Sequence, residues 1–247
     1  RKAEIGSLKF TREYLCVPIS TGTALFNPEF VMKCKNKDYV LKLGHRKDKG
    51  YKYYVGVDPA ISTDGDYNVI TVLEVDENMN KTIVHVDRAK NVEFRENIDK
   101  IRLIGKIFEP EEILYETNTF AKAFTQELRN VSDLNVTDFN TTRKRKQEII
   151  LNLQMNIENG KINFPYGDNS SKKLTNMLIE ELSMFSITHS GKFEGVGAHD
   201  DLVMSLALAN AATQNSQDVF MLLDDMGLFD SPKPTNNSLG GMLGLNF

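Results

Sequence analysis

The sequence predicts an α/β fold: a mixed sheet, in which an antiparallel meander is continued by parallel strands, with helices on both faces. Three observations carry this expectation. Three β-branched and aromatic runs follow one another with only turns between them, later strand-like runs alternate with stretches of helical periodicity, and no run of 18 apolar residues breaks the pattern. Parallel strands need crossover connections, and crossover helices cover both faces of a sheet.

Residues 1–30 carry Pro18 and Pro28 and little periodicity, which predicts an arm or linker. YKYYVGV, ending at Val57, reads as the first strand; NVITVLEV (68–75) and KTIVHVD (81–87) read as the next two. DENMN between the last two is a turn signal, so the three form a meander. Ile98, Ile101, Ile104 and Phe108 fall at spacings of three and four and predict a helix that Pro110 ends. EEILYE (111–116) is a strand, FAKAFTQELRN a helix, and LNVTDF a strand. A long helix is expected from about Lys144 to Asn159, with Ile149, Leu153 and Ile157 on one face and Gly160 as its stop. INFP is a short strand, and Leu174, Met177, Leu178, Leu182 and Phe185 mark a further helix. THSGKFEGVGAHD reads as a polar loop leading to a last helix, DDLVMSLALANAA. Residues 230–247, rich in Pro, Gly, Ser and Asn, read as a flexible tail.

At 247 residues, 40% hydrophobic and 26% charged, the chain suits one large domain with appendages. Cys16 and Cys34 have neither CxxC spacing nor a nearby His, which points to reduced thiols in a cytosolic setting. RKAEIGSLKF lacks the apolar core of a signal peptide and an initiator Met, so a piece of a longer protein is expected. No GxxxxGK[ST] loop, no GxGxxG after a strand, no GxSxG elbow and no zinc-spaced Cys/His set is present, which removes P-loop ATPase, dinucleotide, α/β-hydrolase and zinc-site chemistry. The net charge of −4 conceals an asymmetry: residues 1–50 hold 11 basic against 5 acidic side chains. A basic segment of this kind is either a solvated surface or a face for a polyanion.

The chemistry is expected from carboxylates. YYVGVDPAISTDGDYNV (53–69) runs a strand into Asp58 and gathers Asp64 and Asp66 beside it. Glu116 ends the fourth strand, in ILYETNTF, while Asp200 and Asp201 open the last helix, in GAHDDLVMSLALA. Singly, each has an ordinary role: Asp200 as an N-cap, Asp201 as a complement to the helix dipole, Glu116 as a strand-end charge, Asp66 as turn chemistry. Jointly they place acids at the ends of separate elements, where sites form in α/β sheets. Several carboxylates in one small volume do not all ionise without a cation, and hard divalent ions, Mg²⁺ or Mn²⁺, are the matching partner. Asp66 is a candidate ligand to a second ion, and His199 is either incidental or a contact to phosphate or a metal-bound water. TTRKRKQE (141–148) concentrates Arg143, Lys144, Arg145 and Lys146 at a predicted helix start, a candidate grip on a nucleic-acid backbone.

HDDLVMSLALA (199–209), with YYVGVDPA and ILYETNTF in the same order and at matching distances, resembles the C-terminal nuclease domain of the large terminase subunit of tailed bacteriophages. The resemblance runs from REYLC (12–16) to NAATQ (210–214) and covers 215–247 poorly. It implies a ribonuclease-H-like fold and a metal-dependent endonuclease that cuts concatemeric double-stranded viral DNA during genome packaging. Asp58, Glu116 and Asp201 match the carboxylates that hold two divalent cations, Asp66 matches an assisting acidic loop position, and Asp200 is the pair's other acid. One ion would activate a water and the other would stabilise the departing 3′ oxygen. The resemblance divides the chain into a linker from a packaging ATPase domain (1–30), a nuclease domain (31–214) and a tail (215–247) that is partly flexible and a candidate for partner binding. It implies, as partners, the ATPase domain of the same parent chain, a portal protein and a small terminase subunit, in the host cytoplasm on the viral procapsid and away from membranes. Two rivals stand beside it: a junction resolvase, transposase or ribonuclease H on the same fold, and a non-catalytic DNA-docking module.

Overall fold

The computed structural model describes residues 24–42, 48–59, 67–117, 121–188, 192–195 and 199–214. Among them, in chain order, stand α1 (Pro28–Lys33), β1 (Lys35–Asn36), β2 (Lys52–Asp58), β3 (Asn68–Val75), β4 (Lys81–Ala89), α2 (Phe94–Phe108), β5 (Glu112–Thr117), α3 (Ala121–Val131), β6 (Val136–Asn140), α4 (Arg143–Glu158), β7 (Ile162–Pro165), α5 (Asn169–Met184), β8 (Phe185–Ile187), β9 (Phe193–Gly195) and α6 (Asp201–Ala212). The main sheet has seven strands in the order β1-β7-β4-β3-β2-β5-β6. β2, β3 and β4 form the antiparallel meander. β5 and β6 extend it in parallel beside β2, and β7 and β1 do so beside β4.

Two cores flank the sheet, and strand alternation decides which residues enter each. On β3, Val69 and Leu73 enter one cluster with Ile149, Ile150 and Leu153 of α4, Leu178 and Leu182 of α5, and most of α6. Ile70 and Val72 point the other way, to Ile98, Ile101 and Phe108 of α2 and Phe124 and Leu128 of α3. Helix α6 is buried on nearly every side, and a fully buried Leu or Val contributes about 1.5–3 kcal/mol. It rests directly on β2, because Gly56 has no side chain to hold it away: a Cβ there would stand 2.1 Å from the Ser205 carbonyl oxygen. Thr71 of β3 and Ser205 share a hydrogen bond of 2.8 Å that sets the helix along the sheet.

The fold class is as expected, with α2 stopping before Pro110 as read and two local differences elsewhere. Residues 24–30, read as the end of a linker, belong to the body: Leu25 and Phe26 are buried and Leu25 N–H donates to the Phe185 carbonyl at 2.9 Å. Asn27 accepts from Glu29 N–H and Pro28 sits in the first turn, the cap signals of a helix too short to show periodicity. Phe185, read as the last apolar residue of a helix, instead opens β8, which pairs with β9 inside the expected polar loop; the two strands are three residues each. α2 ends at Phe108, before Pro110, with Glu109 left-handed at φ 46°. The expectations for residues 1–23 and 215–247 lie outside the described residues. Among the described residues no helix is long and apolar enough to cross a membrane.

Candidate active site

The register of the sheet brings the first two acids together. β2 and β5 pair in parallel with Val57 opposite Tyr115, so Asp58 and Glu116 stand one residue further along neighbouring strands. Val57 and Tyr115 face α2 and α3, so Asp58 and Glu116 face α6. The third acid arrives on that helix. Asp201, 8% exposed, occupies the first turn of α6, and its Oδ2 accepts from the Tyr67 N–H at 3.3 Å. Tyr67 immediately precedes β3, whose Val69 pairs with Asp58, so the contact lies at the same strand end.

Asp58 reports the convergence. Burial pushes its pKa well above the ordinary carboxylate range; the charge of Glu116, a hydrogen bond with Glu116, and the charges of Asp201 and Asp200 push it the same way. Acids packed in this way favour either a proton or a cation among them. The donors are carboxylate oxygens, which suit a hard divalent ion such as Mg²⁺ or Mn²⁺. Among the described residues, no group of three or more His, Cys, Asp or Glu is already gathered closely enough to hold a metal ion. Asp64 and Asp66 lie outside the described residues.

Asp200 departs from its expected capping role. It occupies the N-cap position of α6 but makes no side-chain capping bond. Glu181 of α5 caps the helix instead: its Oε2 accepts from Leu202 N–H at 2.8 Å and Val203 N–H at 3.4 Å. Burial lifts the Glu181 pKa to about 7, against the pull of those two N–H groups and of Arg88, whose guanidinium lies 3.5 Å away. Asp200 pairs with Lys146 Nζ at 3.0 Å. His199 Nδ1 lies 3.6 Å from Asp201 Oδ2, and its ring meets Tyr67 edge-on at 5.2 Å.

The predicted basic cluster opens α4. Thr142 caps that helix by accepting from Arg145 N–H, and the first turn carries no acid. Arg143 and Lys144 are exposed. Arg145 lies over Phe139 at 4.1 Å and donates to the Asn140 carbonyl. The structure thus brings Lys146 and His199 to the acids and leaves Arg143 and Lys144 facing solvent at the same helix end. Sequence reasoning missed Glu181, Arg88 and Tyr67. Glu181 had a visible signal, an acid at the i+3 position from Leu178 on the apolar stripe that continues to Leu182 and Phe185. Arg88 and Tyr67 had none: Arg88 Cζ stacks 3.3 Å from the Tyr67 ring centroid only because β3 and β4 pair there.

The comparisons agree with the fold. The family model of the terminase RNaseH-like domain matches residues 55–212. The crystal structure of the large terminase nuclease from thermophilic phage G20c superposes with a TM-score of 0.60 at 21% identity, covering 76% of this chain and 98% of that chain. The same nuclease with bound magnesium gives 0.61 at 21% identity, covering 78% and 98%. The large terminase nuclease domain of Thermus phage P74-26 gives 0.56 at 21% identity, covering 74% and 92%. No curated protein matches the chain. With the family model covering well over half of its length, this chain belongs to the terminase ribonuclease-H-like domain family.

Proposed function

We propose that this domain is a metal-dependent endonuclease that cuts concatemeric double-stranded DNA into genome lengths, and that Asp58, Glu116 and Asp201 hold its two divalent cations. The observation that carries the reading is Asp58, a strand-end carboxylate set beside Glu116 by the β2–β5 register, whose proton affinity is raised by burial and then by two other acids of the set. Magnesium bound to the G20c nuclease supports the choice of ion. Divalent cations supply there the Lewis acidity and charge neutralisation that in-line hydrolysis of a phosphodiester needs.

The chain's own residues do the rest. Asp58 feels the charge of both other acids and would hold the cations together with them. Glu116 is fixed by the β5 ladder and Asp201 by α6 and the Tyr67 N–H. Arg143 and Lys144, at a helix start that also presents backbone N–H groups, bind the DNA backbone without reading bases. Arg145 is turned to Phe139 and Asn140 and serves chiefly to hold that helix end. His199, 42% exposed beside Asp201, orients phosphate or water at the rim. Asp66 is an auxiliary ligand.

In the packaging machine the domain works beside the ATPase domain of the parent chain, a portal protein and a small terminase subunit, in the host cytoplasm at the procapsid. The nuclease domain spans residues 31–214, with 24–30 packed on it, and the tail 215–247 is left for partners. A plasmid assay tests the reading: supercoiled duplex is incubated with Mg²⁺, Mn²⁺ or chelator. Nicked and linear products with either metal, none with chelator and none from D58N or D201N are expected. Preferential cutting of a four-way junction or an RNA–DNA hybrid over linear duplex would overturn the substrate assignment.

A further inference from the structure

We propose that Lys146 is a positioning residue of the candidate metal centre: its ammonium holds the Asp200 carboxylate, and a divalent cation must displace it to use that carboxylate. The inference rests on the reading of Asp58, Glu116 and Asp201 as the metal-holding set.

A cation in the first turns of a helix opposes the positive end of the helix dipole. Helix α4 opens on four basic residues in succession with no acid in its first turn, so each has reason to find an anion elsewhere. Lys146 has one in Asp200 Oδ2, 3.0 Å away and 54 positions along the chain. The two side chains are 24% and 27% exposed, so water screens the pair less than an ordinary surface pair. The lysine is also guided: its ammonium lies 5.8 Å from the ring centroid of Phe185, a fully buried residue.

Asp200 is correspondingly released from other duty. It sits at the N-cap of α6, yet Glu181 has taken the N–H groups of Leu202 and Val203. Its neighbour Asp201 turns to the Tyr67 N–H and His199. Adjacent acids at one helix start therefore have different partners, and Asp200 is matched by a lysine. Asp200 nevertheless lies near enough for its charge to be felt at Asp58. It is within the electrostatic reach of the metal-holding set while being occupied by an internal cation. The consequence is a lowered metal affinity in the resting chain. Metal loading would free an ammonium at the helix end that also carries Arg143 and Lys144.

The test is calorimetric titration of Mn²⁺ into wild type, K146Q, K146M, K146R, D200N and the K146Q/D200N double variant, with thermal unfolding of each metal-free protein as a folding control. K146M keeps the stem packed on Phe185 should the amide of K146Q disturb it. The expected result is a Kd about tenfold tighter in K146Q and K146M, ~1.4 kcal/mol. K146R, which keeps the charge, is expected within about twofold of wild type, and K146Q in the D200N background within about twofold of D200N alone. An equal tightening with and without Asp200 overturns the proposal, because Lys146 then acts through space alone. So does a Kd unchanged or weaker in K146Q and K146M. D201N separates the two readings. If it leaves Mn²⁺ binding intact, the metal centre itself has been misplaced. If it abolishes binding while the Lys146 variants are silent, only the role of Lys146 fails.

Discussion

Gly56 lies directly beneath the Ser205 carbonyl: a Cβ added to the glycine would stand 2.1 Å from that oxygen and 2.2 Å from the Ala209 nitrogen. Both are backbone atoms of a helix and have no rotamer in which to retreat. This one missing side chain is what lets α6 lie on β2 and carry Asp201 to the strand end where Asp58 and Glu116 stand.

Gly56→Ala is therefore expected to lift α6 from the sheet, at a cost of about 3 kcal/mol, the upper part of the usual range for overpacking. Urea denaturation reads this as a lower midpoint with an unchanged slope. Activity should fall with it, because the acid on the helix moves away from those on the strands. A midpoint equal to wild type would show that the close contact is not what seats the helix.

The sheet and its helices were legible because their signals are local. Alternation along β3 and the three–four spacing of α2 need only a few neighbouring residues to show. Asp58, Glu116 and Asp201 could be read as strand-end and helix-start acids for the same reason. What escaped was set by tertiary packing. The Lys146–Asp200 pair joins positions 54 apart, and Glu181 reaches Leu202 across 21. The hairpin of β8 and β9 and the helix α1 are too short for any period to emerge. Asp200 was read as a cap from its position, and the position is right; that another helix supplies the capping oxygen is invisible in the linear chain.

Asp58→Asn should stabilise the metal-free protein while removing its chemistry. Asp58's pKa is raised in the fold, so its contribution is fully present below its ordinary value of 3.8 and is lost as pH rises through the folded value. At neutral pH the amide removes that burden. A Tm higher by a few degrees is expected in EDTA, each kcal/mol being worth about 2–4 °C at this size. Adding Mn²⁺ should then raise the Tm of wild type and leave that of D58N where it was. A metal-induced rise of equal size in both proteins would remove Asp58 from the metal-holding set.

Glu181 separates capping from charge. Glu181→Ala leaves the N–H groups of Leu202 and Val203 buried without their acceptor and is expected to cost about 2–4 kcal/mol. Glu181→Gln keeps an acceptor oxygen and should cost less than about 1 kcal/mol near pH 8. The wild-type carboxyl, raised from 4.5 to about 7 by burial, favours the fold below pH 4.5, and that favour fades as pH rises to about 7. The glutamine variant should lack this part of the pH dependence. Chemical denaturation at pH 5, 6, 7 and 8 gives both comparisons, and a parallel pH profile for the two proteins would refute the assignment.

Lys81 offers the opposite sign. Its ammonium is buried on β4 and donates to Asn156 Oδ1 and Asn210 Oδ1, each at 2.8 Å. Burial lowers its pKa from 10.5 to about 8. The unfolded chain therefore holds the proton between pH 8 and 10.5 while the folded chain does not, so this residue's contribution rises with pH across that window. Lys81→Met strips both amide oxygens of their donor and should cost about 2–4 kcal/mol at neutral pH. The penalty relative to wild type should widen above pH 8, measured by denaturant midpoints at pH 7 and 9.5. A gap that stays constant or narrows would show that burial does not lower the Lys81 pKa in the fold.

Salt dependence distinguishes the basic residues at the start of α4. Arg143 and Lys144 are exposed there, and neutralising either should weaken duplex binding uniformly across sequences and reduce the magnitude of the slope of log K against log salt by about 0.9. Lys146 is different, because Asp200 already balances its charge in the metal-free chain. K146Q should leave the slope measured in EDTA nearly unchanged, while K144Q reduces it. Fluorescence anisotropy with a labelled linear duplex at several salt concentrations provides the slopes. Equal losses for K144Q and K146Q would mean that the lysine leaves Asp200 for phosphate without any metal present, and that its hold on the carboxylate is too weak to gate metal binding.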